Sequence, residues 1–268
     1  MFASIRFKLD QCIGSILIEL MLVMVIGLLL ISFLLETYTT SKQSYALQSA
    51  LSQLQDNAKT AIDILKSDIH KAGYIGCPYL SHDFVVHSPY PSYSLTSQNK
   101  LAGTIAELIV RYMEFAGASL IKSMQDTETL YVNKTKRFAK GDILVISDCK
   151  QAEIFQVKEV VLLKDSLILI PMLPLQNRYE RYAEIGRLIM NKYFIAKSKR
   201  HHQDGSPIYS LFVQDIKQNK TELVEDVDHM QIHYTERENN VVGVAIELTL
   251  SSQSFKKSWH LYVSLIKE

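Results

Sequence analysis

Glu19 stands inside an apolar run. Ile16, Leu17 and Ile18 precede it, and the sixteen residues Leu20–Leu35 that follow carry no charge. A carboxylate at membrane depth costs about 2.5 kcal/mol or more, so it is held either by hydration at an interface or by a cationic partner. The next candidate is His201-His202 with Asp204, the nearest approach to a metal-ligand cluster. Adjacent His side chains in a loop diverge, and Lys197, Lys199 and Arg200 beside them repel a cation, so a solvated loop is the simpler reading. The same bases, Lys197-Ser198-Lys199-Arg200, could touch DNA, but without interleaved aromatics or a basic face they do not make nucleic acid an expected partner. Asn133-Lys134-Thr135 matches a glycosylation acceptor, a tripeptide that is common by chance. Gly-x-Ser-x-Gly, a phosphate-cradling Gly-rich loop and His-Glu-x-x-His are all missing from the sequence. The expectation is a protein that is not an enzyme, with no catalytic residues, no cofactor and no metal.

Ile16–Leu35 is about the ~20 residues that a helix needs to cross a bilayer. Arg6 and Lys8 against Asp10 in the preceding flank leave that end cytoplasmic and the bulk of the chain beyond the membrane. A cleaved secretory signal would have a shorter apolar core and a small-x-small site, which Ser32, Glu36 and Thr37 do not supply. A buried core helix would rarely be so uniformly apolar. The helical pattern then persists into polar sequence. Leu47, Leu51, Leu54, Ala58, Ile62, Leu65, Ile69 and Ala72 form a stripe near the 3.6-residue period, and no proline interrupts Ser15 to Gly76. Gly73 and Gly76 supply stop signals. One helix from about Ser15 to Ala72 would be roughly 85 Å long.

The 268 residues hold 47% hydrophobic side chains, and 29 Lys and Arg balance 28 Asp and Glu. That length can bury a real core, and the near-zero net charge gives no global attraction for polyanions. With 14 Tyr and 10 Phe the composition is not that of a disordered chain, and 10 Gly with 6 Pro excludes collagen-like architectures. Past Gly76 the period becomes two. Val242, Val244, Ile246, Leu248 and Leu250 alternate with smaller or polar residues, as do Leu261, Val263 and Leu265, which predicts half-buried antiparallel strands. Shorter strands are expected at 105–112, 128–133, 143–147, 153–161, 167–170, 188–196, 208–214 and 229–235. Turn signals stand at Lys140-Gly141-Asp142, Asp204-Gly205 and Glu238-Asn239-Asn240. The Ser-, Pro- and Tyr-rich segment Cys77–Lys100 has neither period and is expected to be a surface loop. The fold class is α+β, a long N-terminal helix packed on an antiparallel head.

The stretch Gly14-Ser15-Ile16-Leu17-Ile18-Glu19-Leu20 resembles the class III signal of type IV pilins and pseudopilins. That family has a short basic leader ending in Gly, an apolar run, and Glu five residues beyond the Gly. Ser15, where Phe is usual, and Asp10 in the leader depart from the pattern. Several further segments are similar to the PilW family of minor pilins. They are Ser41–Tyr45, Leu51–Ala58, Asp68–Cys77, Ser147-Asp148-Cys149, Ala152–Val157 and Leu223–Val227. The resemblance implies a pilin-like lollipop, first membrane-spanning and then amphipathic, divided into a leader 1–14, a transmembrane and assembly helix 15–38, an amphipathic helix 39–76 and a periplasmic β-rich head 77–268. Prepilin peptidase would cut between Gly14 and Ser15. Glu19 would pair with the N-terminal amine of a neighbouring subunit during assembly.

With the leader, Cys12 would leave as well, and in an oxidising compartment the remaining Cys77 and Cys149 are expected to form a disulfide, two free buried thiols being the alternative. The implied function is a minor pilin that primes or caps a type IV pilus. Its expected partners are other minor pilins, the major pilin, the inner-membrane assembly platform and, in some systems, a tip adhesin. It would sit as a single-pass inner-membrane protein, cytoplasmic at the N-terminus and periplasmic in the head, before entering the pilus. Two rivals stand beside it: a minor pseudopilin of type II secretion, and a signal-anchored periplasmic binding or enzymatic domain.

Overall fold

The structure is a computed structural model that describes residues 12–76, 80, 84–115, 118–134, 138–202, 204–237, 240–252 and 255–265. The chain is α+β, and it divides into two units, Met1–Gln53 and Leu54–Glu268, with the boundary inside the one α-helix among the described residues. That helix, α1, runs Cys12–Lys71 without a proline to break it. Gly73 ends it by adopting a φ of 75°, which a side chain would disfavour, and its amide donates to the Arg111 carbonyl at 2.9 Å.

Fourteen strands follow among the described residues: β1 (Val86–His87), β2 (Leu101–Thr104), β3 (Glu107–Met113), β4 (Ala118–Ser119), β5 (Leu130–Asn133), β6 (Ile143–Ser147), β7 (Ala152–Leu162), β8 (Ser166–Pro171), β9 (Glu184–His201), β10 (Pro207–Gln214), β11 (Lys220–Glu225), β12 (Val227–Arg237), β13 (Asn240–Ser252) and β14 (Phe255–Ser264). The larger sheet has the order β11-β10-β9-β6-β7-β8-β5, with β2-β3 and β4 also pairing along β9. A second sheet is β12-β13-β14. Apart from the parallel pair β1–β7, the pairings are antiparallel. The 18-residue β9 joins the two halves of the large sheet. Its first residues pair with β6, and its later ones lie between β3 and β10.

In the second unit one core joins the helix to both sheets. Leu54, Ala58, Ala61, Leu65, Ile69 and Ala72 pack with Leu108, Val110 and Tyr193 of the large sheet and with Ile232, Val244, Ile246 and Leu248 of the small one. A second cluster surrounds Phe155 and Tyr179. A third contains Ile75, Leu80, Val86, Leu95, Met113 and Leu188.

Several expectations need correction. The stripe begins to be buried at Leu54: Leu47 is exposed, Leu51 and Ile62 are half-buried, and Ala61 takes a fully buried place. The segment 77–100 is not simply surface. Leu80, Val86 and Leu95 fill the third core, because β1 docks beside β7 and carries its apolar neighbours inward. The strand expected at 105–112 is a hairpin, since Thr104 pairs with Glu107 and Ile105-Ala106 makes the turn. Along β13 the alternation changes phase. Val244, Ile246, Leu248 and Leu250 are buried as the period requires, but Val241 rather than Val242 is buried before them. The cause is a bulge, since Thr235 pairs with Gly243 and Glu236 with Val241, leaving Val242 as the extra residue.

Candidate functional site

The first unit presents its apolar side chains outward. Ile16, Leu17, Ile18 and nearly every large apolar residue to Leu35 are exposed. This is the one helix among the described residues that is long and apolar enough to cross a membrane. Its polar side chains satisfy themselves locally: the hydroxyl of Ser32 donates to the Leu28 carbonyl at 2.9 Å and that of Thr37 to Phe33 at 2.8 Å. Such back-bonding hides a hydroxyl in an apolar run, whereas a carboxylate has no internal donor to turn to. Glu19 is exposed one turn from Val23 and Ile16, with apolar residues on either side. Gly14 and Ser15 lie in the first turn of α1. Leader residues 1–11 lie outside the described residues.

In the second unit the helix carries a buried carboxylate of its own. Asp68 falls three residues after Leu65 and one before Ile69, at the spacing of the buried stripe. One carboxylate oxygen accepts from the Tyr193 hydroxyl and the Asn191 amide, each at 2.6 Å. The other accepts from the Tyr112 hydroxyl at 3.0 Å and from Lys71 Nζ at 3.2 Å. Burial acts to raise the Asp68 pKa, but the donors from Tyr193, Asn191, Lys71 and Tyr112 outweigh it and hold the carboxyl below its ordinary value. Burial, together with the Asp68 charge, pushes both Tyr112 and Tyr193 well above the usual phenol range. The arrangement is a charge-assisted clasp between α1, β3 and β9. A carboxylate set within an apolar period is the signal that could have revealed it.

Glu153 on β7 is a second buried carboxylate, and no spacing in the sequence marks it. It accepts from the backbone amides of Gln176 and Asn177, both at 2.7 Å, and from the Asn177 side chain at 2.8 Å. It thereby anchors the segment that leads to Arg178–Glu184. That segment and the Ser147–Gln151 turn line an open depression of about 490 Å³. Lys150, Arg178 and Arg181 stand there against Asp148, Glu180 and Glu184, so no single charge prevails.

Cys149, in the same turn, is disulfide-bonded. Cys77 lies outside the described residues. The basic run Lys197–Arg200 belongs to strand β9 rather than a loop, and Arg200 is ion-paired with Glu225. His201 closes β9, while the Asp204 carboxylate takes up the amide and hydroxyl of Ser206 at 2.9 and 2.6 Å. Among the described residues no three His, Cys, Asp or Glu side chains gather as metal ligands. The Asn133 side chain is tied to Ser119, receiving its amide at 3.0 Å and donating to its hydroxyl at 3.2 Å.

Comparison with family models, curated proteins and solved structures gives no match for this chain.

Proposed function

We propose that this chain is a minor pilin of the PilW type, a structural subunit that primes or caps a type IV pilus after cleavage between Gly14 and Ser15. The observation that carries the reading is Glu19, a lone carboxylate on the exposed apolar face of a helix whose first turn contains the Gly14–Ser15 bond. Hydrocarbon would cover the apolar face while the subunit waits in the inner membrane, and neighbouring subunits would cover it in the fibre. Cleavage creates a cationic amine at Ser15, and a carboxylate one helical turn away in sequence is placed to attract the equivalent amine of a neighbour. The α+β second unit, in which α1 supplies one side of the core, fits a head carried by that helix.

The test is N-terminal mass analysis of the protein from membranes of cells with and without prepilin peptidase. A chain that begins at Ser15 only when the peptidase is present is the expected result. A chain that begins at Met1 in both strains overturns the proposal and returns the protein to the signal-anchored class.

A further inference from the structure

The depression between the Ser147–Gln151 turn and the Arg178–Glu184 segment has both walls tied down by hydrogen bonds. Its volume of about 490 Å³ falls within the ~300–1,000 Å³ of small-molecule sites. Glu153 holds the amides of Gln176 and Asn177, and the Tyr179 carbonyl accepts the Met124 amide at 3.0 Å. On the opposite wall Asp148 takes up the amides of Lys150 and Gln151, both at 2.8 Å, and Cys149 is disulfide-bonded. The Gln151 side-chain amide donates to the Arg178 carbonyl at 3.2 Å and so joins one wall to the other.

Tyr182 departs from what its backbone favours. The Ala183 amide closes a turn on the Glu180 carbonyl at 3.2 Å, and Tyr182, third in that turn, has a φ of 76°. Gly or Asn suits such a place, because a bulky side chain is disfavoured in the left-handed region. The Tyr182 amide donates to the Leu120 carbonyl at 3.0 Å, which fixes where the ring stands. Burial does not account for the ring, since it is 68% exposed, with Arg181 over one face at 4.7 Å. An unfavourable backbone conformation that packing does not repay is characteristic of functional sites.

The charges around the ring divide into engaged and unengaged groups. Asp148 is held in its own turn, and Glu184 accepts from the Tyr74 hydroxyl at 3.4 Å. The side chains of Lys150, Arg178 and Glu180 line the depression without a hydrogen bond or ion pair among the described residues. Together they offer donors and an acceptor. A sugar hydroxyl both donates and accepts, so it calls for both kinds of partner, and the C–H face of a sugar ring lies well against an aromatic ring. A polyanion would meet Glu180 among the cations, and an apolar ligand would strip water from three charges.

We propose that this depression binds carbohydrate, with one sugar ring laid on the face of Tyr182 that Arg181 leaves open and its hydroxyls held by Lys150, Arg178 and Glu180. The site belongs to the second unit and does not depend on whether the chain enters a pilus.

The test applies the full-length chain, in a detergent without a sugar headgroup, to an array of immobilised neutral and acidic oligosaccharides. The strongest binder is then titrated in solution, with an expected Kd of about 1 mM or tighter. Tyr182→Asn removes the ring while Asn tolerates the backbone. It should weaken binding about ten-fold or more and leave the melting temperature unchanged or raised. Tyr182→Trp keeps a stacking face and should bind at least as well. Arg178→Gln, at an exposed position, should weaken binding about five-fold or more, and it serves as the reading if Tyr182→Asn fails to fold. No binding across the array would overturn the proposal. So would undiminished affinity in folded Tyr182→Asn or Arg178→Gln, or loss of binding in folded Tyr182→Trp. Binding confined to polyanionic chains, steep in salt and indifferent to Tyr182→Asn, would mean that the cations act alone and would overturn it too.

Discussion

The Tyr193 hydroxyl stands 2.6 Å from a carboxylate oxygen of Asp68, joining the middle of β9 to the last turns of α1 across 125 residues of sequence. Asn191 and Tyr112 complete the contact from the same sheet face. Three donors on the sheet converge on one acceptor group on the helix, so the helix can neither rotate nor slide without unpairing buried polar atoms.

Removing that acceptor should therefore be costly. Asp68→Ala leaves the hydroxyls of Tyr112 and Tyr193 and the amide of Asn191 without it, and should destabilise the second unit by about 3 kcal/mol. Asp68→Asn keeps the shape but replaces an acceptor oxygen with a donor facing donors, and should cost at least ~1 kcal/mol. Urea unfolding of the full chain, followed by tyrosine fluorescence, measures both. A shift below about 0.5 kcal/mol for Asp68→Ala would mean that the clasp does not hold the helix.

Acid should release the same clasp. The folded-state pKa of Asp68 lies below its unfolded value, so the stability it contributes is complete above the ordinary carboxylate pKa of about 3.9 and is lost as pH falls through the lower folded value. Wild type should lose stability below about pH 4 more steeply than Asp68→Asn, which has no proton to take up there. Thermal melts across that range check this, and parallel curves for the two proteins would refute it.

Cys149 should matter more for stability than for local packing. If its partner is Cys77, the bridge closes a loop of about 70 residues, and Cys149→Ser should cost on the order of 4 kcal/mol on the loop-entropy model. Alkylation without reductant should label neither Cys77 nor Cys149 in the mature wild-type protein. Two labelled thiols in the mass spectrum would rule out that pairing.

Glu19→Gln should separate anchoring from assembly. The substitution removes a charge from the apolar run, so membrane insertion should be at least as efficient, and cleavage after Gly14 should proceed. Recovery in sheared pilus fractions should fall to background if Glu19 answers a neighbour's amine. Normal recovery would show that the carboxylate is dispensable for incorporation.

The local elements were largely legible because their causes are local. Apolar uniformity from Leu20 to Leu35 and the absence of proline to Gly76 sufficed for α1, and strict alternation located β13 and β14. The strand at 143–147 agrees with β6 residue for residue. Misses arose where a distant segment sets the environment. Lys220–Glu225 is too polar to announce a strand, yet it becomes β11 because β10 offers it a free edge. Val86 and Leu95 lie in a Ser- and Pro-rich stretch and are buried only because β7 and β9 bring a core to them. Leu47 continues the helical stripe but precedes the part of α1 that meets the sheets, and so is exposed.

What the sequence determined by itself is whatever depends on neighbours one turn or two residues away: the helix, its exposed apolar half with Glu19, and most of the strands. What answers the buried charges depended on tertiary structure. Nothing near Asp68 in the chain reveals that Tyr112, Asn191 and Tyr193 will meet it, and nothing near Lys100 shows that Arg111 will face it across a sheet. Hydrogen bonds and charge pairs act over a few ångströms of space, and only the folded chain brings residues far apart in sequence within that range.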